Sequence, residues 1–318
     1  MMKRFILASN SPRRKELLNN SGYAFEVIPS DCDENTDDNL TPQEKYRFKK
    51  LCETVKELVE RVFSELRQSE FYPQKTELKI GGENADIPSY SIEFADGKIF
   101  LVGAVDRVDK AEKNEKKILR IIDYKTGAKK LKMSDLLYGQ NLQMPLYMKA
   151  VTENGKELFG DCLPGGMFYF AARESVVNAE RNFSDEKVEG ERLKNGKMDG
   201  MFLDDSDVYT AIEPKGEGVF SPVKLKKDAT LSNSAPYYTY EQYKIMSDYL
   251  DLKLKETAEK MLNGEINPQP FDSTYGDACK YCDYSTVCRF GGEHTMIEKL
   301  NNEEVFRIML EEMKKEGK

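Results

Sequence analysis

The chain has 318 residues, of which 39% are hydrophobic and 33% are charged. This length fits one large domain or two ordinary ones, and it is enough to bury a sizeable core. The net charge of -8 argues against a free-standing protein that coats DNA without sequence preference, because phosphate binding requires local positive charge; a local basic groove or a basic partner subunit is the alternative. The one histidine, His294, argues against His-rich zinc sites and against any Ser-His-Asp hydrolase whose base is not His294.

No part of the sequence comes near the run of ~18–20 apolar residues that a membrane helix needs. The short apolar stretch at the N-terminus is followed at once by polar residues, which is not typical of a secretory signal. We therefore predict a cytoplasmic protein without membrane contact.

The first 40 residues predict a strand, a helix, a second strand and a linker. RFILAS and YAFEVIPS are short apolar runs, and between them Ser11, with a proline after it, favours the start of a helix that ends at Gly22. The acidic stretch DCDENTDDNL has no periodicity and indicates a linker.

A long helix is predicted from Thr41 to about residues 69–72. Thr41 suits the N-cap and Glu44 the third helical position, as in a capping box, and apolar residues then recur at helical spacing. Four strands should follow, the second and third joined by a hairpin turn at Asp96 and Gly97. In chain order their sequences are KTELKI, SYSIEF, IFLVGAV and KILRIIDY.

The second half of the chain predicts further helices and strands. Residues 134–153 favour a helix, GMFYFAA a strand, and residues 180–235 a polar and irregular segment. Helices are predicted over residues 239–262 and from about residue 295 onward. The order helix, strands, helix, strand predicts a mixed α/β core.

Charged side chains end two neighbouring predicted strands, in GAVDRVDK and IIDYKTG. Asp106 ends the first strand, and Asp123 and Lys125, two residues apart, leave the same face of the second. If the strands pair, Asp106 and Asp123 converge on one divalent cation, and their oxygens suit Mg²⁺ or Mn²⁺. Lys125 would hold or deprotonate a water, or steady charge at phosphorus, which indicates metal-assisted hydrolysis of a phosphodiester. The alternative is a structural role, since an Asp-x-Lys at a strand end is common.

Two features follow these strands. Gln143 and Tyr147 are four apart and share a helical face; the alternative is a core aromatic with a solvated neighbour. Lys129, Lys130 and Lys132 follow the DYKTG sequence and are placed for phosphate contact.

Together these motifs resemble the RecB-type branch of the PD-(D/E)XK nucleases. The resemblance implies a restriction-endonuclease-like fold, in which helices flank a mixed sheet, and DNA cleavage that depends on Mg²⁺ or Mn²⁺. It implies that Asp106 and Asp123 bind the metal and that Lys125 is catalytic.

The same resemblance implies four further roles. Gln143 and Tyr147 would support the site and contact DNA. Glu77, in KTELKI, matches an upstream acidic position of the family. The backbone carbonyl of Tyr124 would be a further metal ligand.

Three cysteines, Cys279, Cys282 and Cys288, lie within ten residues. In a cytoplasmic chain this spacing predicts a metal site and not disulfides. With a fourth thiolate they would suit zinc or an iron–sulfur cluster. The alternatives are buried free cysteines and a chance grouping.

The cysteine spacing resembles the iron–sulfur staple of the AddB/RexB nuclease subunits. This implies a [4Fe-4S] cluster whose fourth cysteine lies far N-terminal to the nuclease core. It also implies DNA as the substrate and an AddA-type helicase-nuclease subunit as the partner. Cys32 and Cys52 precede the core, and neither has the expected surroundings, so the ligand set is incomplete here.

The N-terminal sequence resembles a different family. FILASNSPRRKELLNNSGYAFEVIPSDCDEN looks like the start of the Maf nucleoside triphosphate pyrophosphatases. The resemblance implies a triphosphate grip by Ser11, Arg13 and Arg14 at a helix N-terminus. An exposed, N-capped helix is the favoured alternative, because the later Maf motifs are not found in the sequence.

Three segments are therefore predicted: a Maf-like fragment at residues 1–38, a nuclease domain with the cysteines at residues 39–292, and a charged helical segment at residues 293–318. The predicted function is the DNA nuclease module of an AddAB-type helicase-nuclease in double-strand break repair and recombination, impaired when alone. The alternatives are a Maf-type pyrophosphatase and a noncatalytic module that keeps the nuclease fold.

Overall fold

A computed structural model describes most of the chain. It covers residues 5–7, 25–27, 41–94, 97–127, 129–172, 184–273 and 276–316. The chain divides into two compact units, Met1–Glu60 and Arg61–Lys318. Some predictions fall outside the described residues: the helix after Ser11, the acidic linker, Asp96 of the predicted hairpin turn, and the residues Ser11, Arg13, Arg14 and Cys32.

The described part alternates strands and helices. The strands are β1 (Phe5–Leu7), β2 (Phe25–Val27), β3 (Tyr72–Ile80), β4 (Tyr90–Phe94), β5 (Gly97–Leu101), β6 (Gly103–Lys113), β7 (Lys116–Lys125), β8 (Leu163–Ala171), β9 (Asp199–Leu203), β10 (Tyr237–Tyr238), β11 (Phe271–Ser273), β12 (Gly276–Asp277) and β13 (Thr295–Met296). The helices are α1 (Pro42–Gln68), α2 (Met133–Leu137), α3 (Gln143–Asn154), α4 (Lys156–Phe159), α5 (Asp185–Gly196), α6 (Ser206–Ile212), α7 (Tyr240–Leu262), α8 (Ser285–Cys288) and α9 (Asn302–Lys315).

In the first unit, β1 and β2 form a parallel pair within the predicted apolar runs RFILAS and YAFEVIPS. Helix α1 begins with the predicted capping box. The Thr41 hydroxyl accepts a hydrogen bond from the Glu44 amide at 3.3 Å, and the Glu44 carboxylate accepts one from the Thr41 amide at 2.8 Å. These bonds satisfy amides that a helix start otherwise leaves unpaired, so they fix the start of α1.

The second unit is built on a six-stranded sheet with the order β10-β9-β8-β7-β6-β3. β6 pairs antiparallel with both β3 and β7, whereas β7 and β8 run parallel. Parallel neighbours require a crossover between them, and α2, α3 and α4 lie in that connection. The predicted fold class, a mixed sheet flanked by helices, is confirmed.

Strand β7 lies inside the sheet, and its side chains form the centre of the hydrophobic core. Ile118, Leu119, Ile121 and Ile122 are among its fully buried side chains. A strand covered on both faces needs apolar residues at successive positions, which explains why KILRIIDY is nearly continuous. Arg120 interrupts this run and is also fully buried, so it requires polar partners inside the protein.

The prediction of one strand over IFLVGAV is wrong, because the chain changes sheets at Val102. Before this residue, β5 pairs with β4 in the predicted hairpin, which forms a separate two-stranded sheet. After it, β6 joins the central sheet. Val102 itself is 62% exposed, so the apolar run does not mark one continuous buried element.

The prediction of one helix over residues 134–153 is also wrong, because a turn separates α2 from α3. Gly139 and Asn141 have φ values of 69° and 57°, in the left-handed region that ends a helix. Residues 180–235 are less irregular than predicted. They contain α5, β9 and α6, and β9 belongs to the central sheet.

The two C-terminal helices begin at capping boxes. In α7 the Thr239 hydroxyl accepts from the Gln242 amide, at the predicted start. In α9 Asn301 is the N-cap, so this helix begins later than the predicted residue 295. Within the described ranges, no helix combines the length and the apolar character needed to cross a bilayer.

A buried lysine fastens α3 to α7. Lys149 donates to the Ser247 carbonyl and to the Asp251 carboxylate, both at 2.8 Å. Tyr90 of β4 donates to the same carboxylate at 2.9 Å. These contacts hold together the helix that carries Gln143, a second helix and the two-stranded sheet.

Candidate active site

The β6–β7 pairing brings the two acidic motifs together. Arg107 lies opposite Ile122 at the end of the paired region, so the next positions, Asp106 and Asp123, face each other. Side chains alternate along a strand, so Asp106, Asp123 and Lys125 share one face of the sheet. The predicted pairing is therefore confirmed, while the catalytic roles of these residues stay predictions.

The Asp106 carboxylate bonds to the backbone of β7. Its Oδ2 accepts a hydrogen bond from the Tyr124 amide at 2.7 Å. The next carbonyl, that of Lys125, points the other way and accepts from the Ala172 amide at 2.8 Å. Backbone groups of successive strand residues point to opposite neighbours, so the Tyr124 carbonyl faces the Asp106 side, as its amide does.

Asp123 is a buried carboxylate that is only partly neutralised. It is 1% exposed and forms an ion pair with Lys125, with Nζ and Oδ2 2.5 Å apart. Burial raises the pKa of Asp123; the hydrogen bond from Lys125 opposes this, and the charge of Asp106 adds to it. A raised pKa means that the charged form is disfavoured here, so a further cation near Asp123 would be stabilising.

Gln143 and Tyr147 lie together on α3, as predicted from their spacing. The Gln143 amide donates to the Tyr147 hydroxyl at 3.4 Å. The Tyr147 hydroxyl also lies against Gly103, at the start of β6, where an added Cβ would be 2.9 Å from its oxygen. A glycine is therefore needed three residues before Asp106 for the tyrosine to approach this strand.

Glu77 is placed differently from the other predicted residues. It lies on the edge strand β3, and because Thr76 pairs with Arg107, it is beside Asp106 along the sheet. Its side chain is exposed and its φ is 52°, an uncommon value for a residue other than glycine. Among the described residues, no group of three or more His, Cys, Asp or Glu side chains is arranged to hold a metal, so Glu77 does not join Asp106 and Asp123 in one group.

The cysteine segment forms a short 3₁₀ turn at Ala278–Tyr281 followed by α8. Cys282 and Cys288 are exposed free thiols, and the Cys282 amide donates to the Cys279 carbonyl at 3.3 Å. Cys52 is exposed on α1. In the part of the chain that the structure describes, these thiols do not form a metal-ligating group.

The opposite face of the same two strands carries a buried ionic network that the sequence analysis missed. Arg120 pairs with Asp109 at 2.9 Å and with Glu65 of α1 at 2.6 Å. Arg107 pairs with Asp109 at 2.9 Å and with Glu65 at 3.4 Å, and donates to the Tyr124 hydroxyl at 2.6 Å. All four charged side chains are buried.

The network cancels its own charge, since two arginines face two carboxylates. Burial opposes the charge on Arg107, but Asp109, Tyr124 and Glu65 outweigh it and raise its pKa. The alternation of charged residues in GAVDRVDK could have indicated a polar cluster on the second face. Glu65, on a helix far away in sequence, could not have been assigned to it from spacing.

The family is shown by comparison with known proteins. Residues 2–289 match the PD-(D/E)XK nuclease superfamily. The chain belongs to this superfamily. The match begins at residue 2 and so overlaps the Maf-like segment at residues 1–38, which stays a prediction.

Similar curated proteins are named as B-type subunits of an ATP-dependent helicase/deoxyribonuclease. The protein from Thermoanaerobacter sp. (strain X514) is 33% identical over 285 residues, 87% of this chain and 25% of the relative. That from Clostridium novyi (strain NT) is 31% identical over 299 residues, 90% of this chain and 26% of the relative. The chain thus spans about a quarter of the length of these relatives.

Proposed function

We propose that this chain is the metal-dependent DNA nuclease module of an AddAB-type helicase-nuclease. The observation that carries the proposal is the convergence of Asp106, Asp123 and Lys125 on one face of the β6–β7 pair. Two carboxylates with an amine beside them suit phosphodiester hydrolysis, and the family and the named relatives support DNA as the substrate.

The donor set fits a hard divalent cation. Mg²⁺ is typically held by one or two carboxylates together with waters and substrate phosphate oxygens, and the incompletely neutralised charge of Asp123 favours a cation. Asp106, Asp123 and the Tyr124 carbonyl would hold Mg²⁺ or Mn²⁺. When bound, the ion would supply polarisation of the phosphate and acidification of a water.

The remaining predicted residues act around this pair. Lys125, hydrogen-bonded to Asp123, would hold the attacking water and offset negative charge on the phosphate. Gln143 and Tyr147, held against the start of β6, would orient the DNA strand. Glu77 lies at the edge of this arrangement, exposed and beside Asp106, where it would bond a water of the metal.

The named relatives support a proposal for the partner and for the cellular role. Their printed name describes one subunit of a helicase/deoxyribonuclease, which supports an AddA-type helicase-nuclease as the partner of this chain. The proposed role is the resection of broken DNA ends in double-strand break repair and recombination, in the cytoplasm. Because the chain spans a quarter of the relatives, we expect weak activity when it is alone.

The cysteines play no part in the reaction proposed here. Cys279, Cys282 and Cys288 supply three thiolates, whereas a [4Fe-4S] cluster is usually held by four. The described residues do not gather even these three into a ligating group, so they do not fit a complete cluster. Iron and acid-labile sulfide measured on anaerobically purified chain would decide between a cluster and free thiols.

The proposal predicts loss of DNA cleavage in Asp123→Ala, measured with labelled single-stranded DNA and Mg²⁺, with and without an AddA-type partner. Removal of a metal ligand should lower the rate by at least about a hundredfold. Asp161→Ala is the matched control, since this exposed aspartate precedes β8, at the opposite end of the sheet. Equal activity of the parent and Asp123→Ala would overturn the proposal, as would a complete lack of cleavage by the parent in both settings.

A further inference from the structure

Of the three lysines after DYKTG, Lys129 lies on the same face of the sheet as the candidate site. The Lys129 ammonium lies 5.1 Å from the centre of the Tyr169 ring. Tyr169 is the partner of Asp123 on the neighbouring strand β8. Lys129 interacts electrostatically with Asp123 and with Lys125, so its charge acts within the site.

The backbone next to Lys129 is fastened to the sheet. The Leu131 amide donates to the Asp199 carboxylate at 2.9 Å, and Asp199 pairs with Tyr169 across β8 and β9. The lysine is therefore held between the end of β7 and an anchored residue two positions later. Restraint of the backbone reduces the conformational freedom that the Lys129 residue must lose when it binds a ligand.

The charges of the four residues Asp106, Asp123, Lys125 and Lys129 sum to zero, with the exposed Glu77 at the edge left out of the count. Asp106 and Asp123 carry two negative charges, and Lys125 and Lys129 carry two positive ones. A divalent cation would leave a surplus of two positive charges, which matches one phosphodiester and one attacking hydroxide. Burial and the nearby charge of Lys125 lower the pKa of Lys129, so an anion beside its ammonium would stabilise the charged form.

We propose that Lys129 is a second substrate-binding cation of the site and that its ammonium holds a nonbridging oxygen of the phosphate being cleaved. The inference rests on the proposed nuclease function. Lys125 is already engaged by Asp123 at 2.5 Å, whereas Lys129 lies over an aromatic ring, which leaves its N–H groups to bond the phosphate. Lys130, the next residue, is exposed.

The test is binding of fluorescein-labelled single-stranded DNA in EDTA, which prevents cleavage, at several salt concentrations. Lys129→Met should weaken binding about tenfold, the value of one charge-assisted hydrogen bond. The slope of log K against log salt should fall by about 0.7, as expected for one phosphate contact on a single strand. Lys129→Arg should keep most of the affinity, because it keeps the charge. Lys130→Met is the matched control and should change binding less.

An unchanged salt slope in Lys129→Met, or an equal loss in Lys130→Met, would overturn this inference. Thermal unfolding of each variant checks the fold, and Lys129→Gln serves if the methionine variant is unstable. Failure of the nuclease proposal is distinguishable: Asp123→Ala would then leave cleavage unchanged. Cleavage that requires Asp123, together with unaltered binding by Lys129→Met, would remove only the role of Lys129.

Discussion

The two faces of the β6–β7 pair use charge in opposite ways. On one face Arg107, Asp109 and Arg120, together with Glu65 from α1, form a closed and buried network. On the other face, alternate residues of the same strands leave a buried carboxylate incompletely neutralised. One face pairs its charges within the protein, whereas the other is the face on which we propose that a metal ion binds.

The largest expected effect on stability comes from removing one arginine of the buried ionic network. Arg120→Met would leave Asp109 and Glu65 with Arg107 as their shared cation. Because breaking a buried ion pair strands an uncompensated charge, we expect the free energy of unfolding to fall by about 3–5 kcal/mol. Urea denaturation followed by circular dichroism measures this loss.

The control is an exposed ion pair in the same unit. Lys98 and Glu93 are 3.3 Å apart at the surface of the β4–β5 hairpin. Lys98→Met should cost less than about 1 kcal/mol, because exposed pairs contribute little. If Arg120→Met and Lys98→Met lower the free energy of unfolding by the same amount, the buried network does not stabilise the protein more than an exposed ion pair does.

A smaller loss of stability is expected when the contact between β6 and α3 is disturbed. In Gly103→Ala the new methyl group would lie 2.9 Å from the Tyr147 hydroxyl oxygen, so the tyrosine or the strand must move. We expect a loss of about 1–3 kcal/mol and slower DNA cleavage. Thermal unfolding and the cleavage assay measure the two effects.

Tyr147→Phe in the Gly103→Ala background should restore part of the stability, because it removes the nearest atom. Gly291→Ala is the matched control, since an added Cβ there meets no atom within 4 Å. If the Gly103→Ala chain is as stable and as active as the parent, the close approach of Tyr147 does not require a glycine at this position.

The smallest effect on stability is expected at Asp123. Its pKa is raised in the folded chain, so its charge opposes folding at neutral pH, and this cost disappears as the pH falls below the unfolded value of about 3.9. Asp123→Asn should therefore leave the free energy of unfolding unchanged or raise it by less than about 1 kcal/mol at pH 7. The raised pKa of Asp123 also affects metal binding, because a protonated carboxylate binds a cation poorly. As the solution is acidified, Mn²⁺ binding by the parent should therefore begin to weaken at a pH above the usual pKa range of aspartate. A strong loss of stability in Asp123→Asn at pH 7 would contradict the comparison of the two faces.

Local patterns predicted much of the fold. The capping box at Thr41 marked the start of α1, and alternation along β7 placed Asp123 and Lys125 on one face. The start of α7 near residue 239 was also predicted correctly. The breaks at Val102 and Gly139 were missed because apolar residues continue on both sides, and pairing between distant segments decides where each element ends. β9 was missed because its short apolar run lies in a polar segment.

The candidate site was predictable where neighbouring strands define it and not where distant segments do. Asp106 and Asp123 meet through a hairpin, the most local kind of pairing. The network with Glu65 depends on a helix that precedes the sheet, and spacing carries no signal for it. Among the lysines after DYKTG, Lys129 stands out through its contact with the Tyr169 ring on β8, and the spacing of the sequence carries no signal for that contact.

The hydrogen bond from the Tyr124 amide to Asp106 has an evolutionary consequence. Its donor belongs to the main chain, so every replacement of Tyr124 except proline retains it. The orientation of this carboxylate is thereby insulated from drift at position 124. A substitution of the Tyr124 ring would instead act on the far side of the sheet, where the hydroxyl accepts from Arg107, and would leave the orientation of the Asp106 carboxylate unchanged.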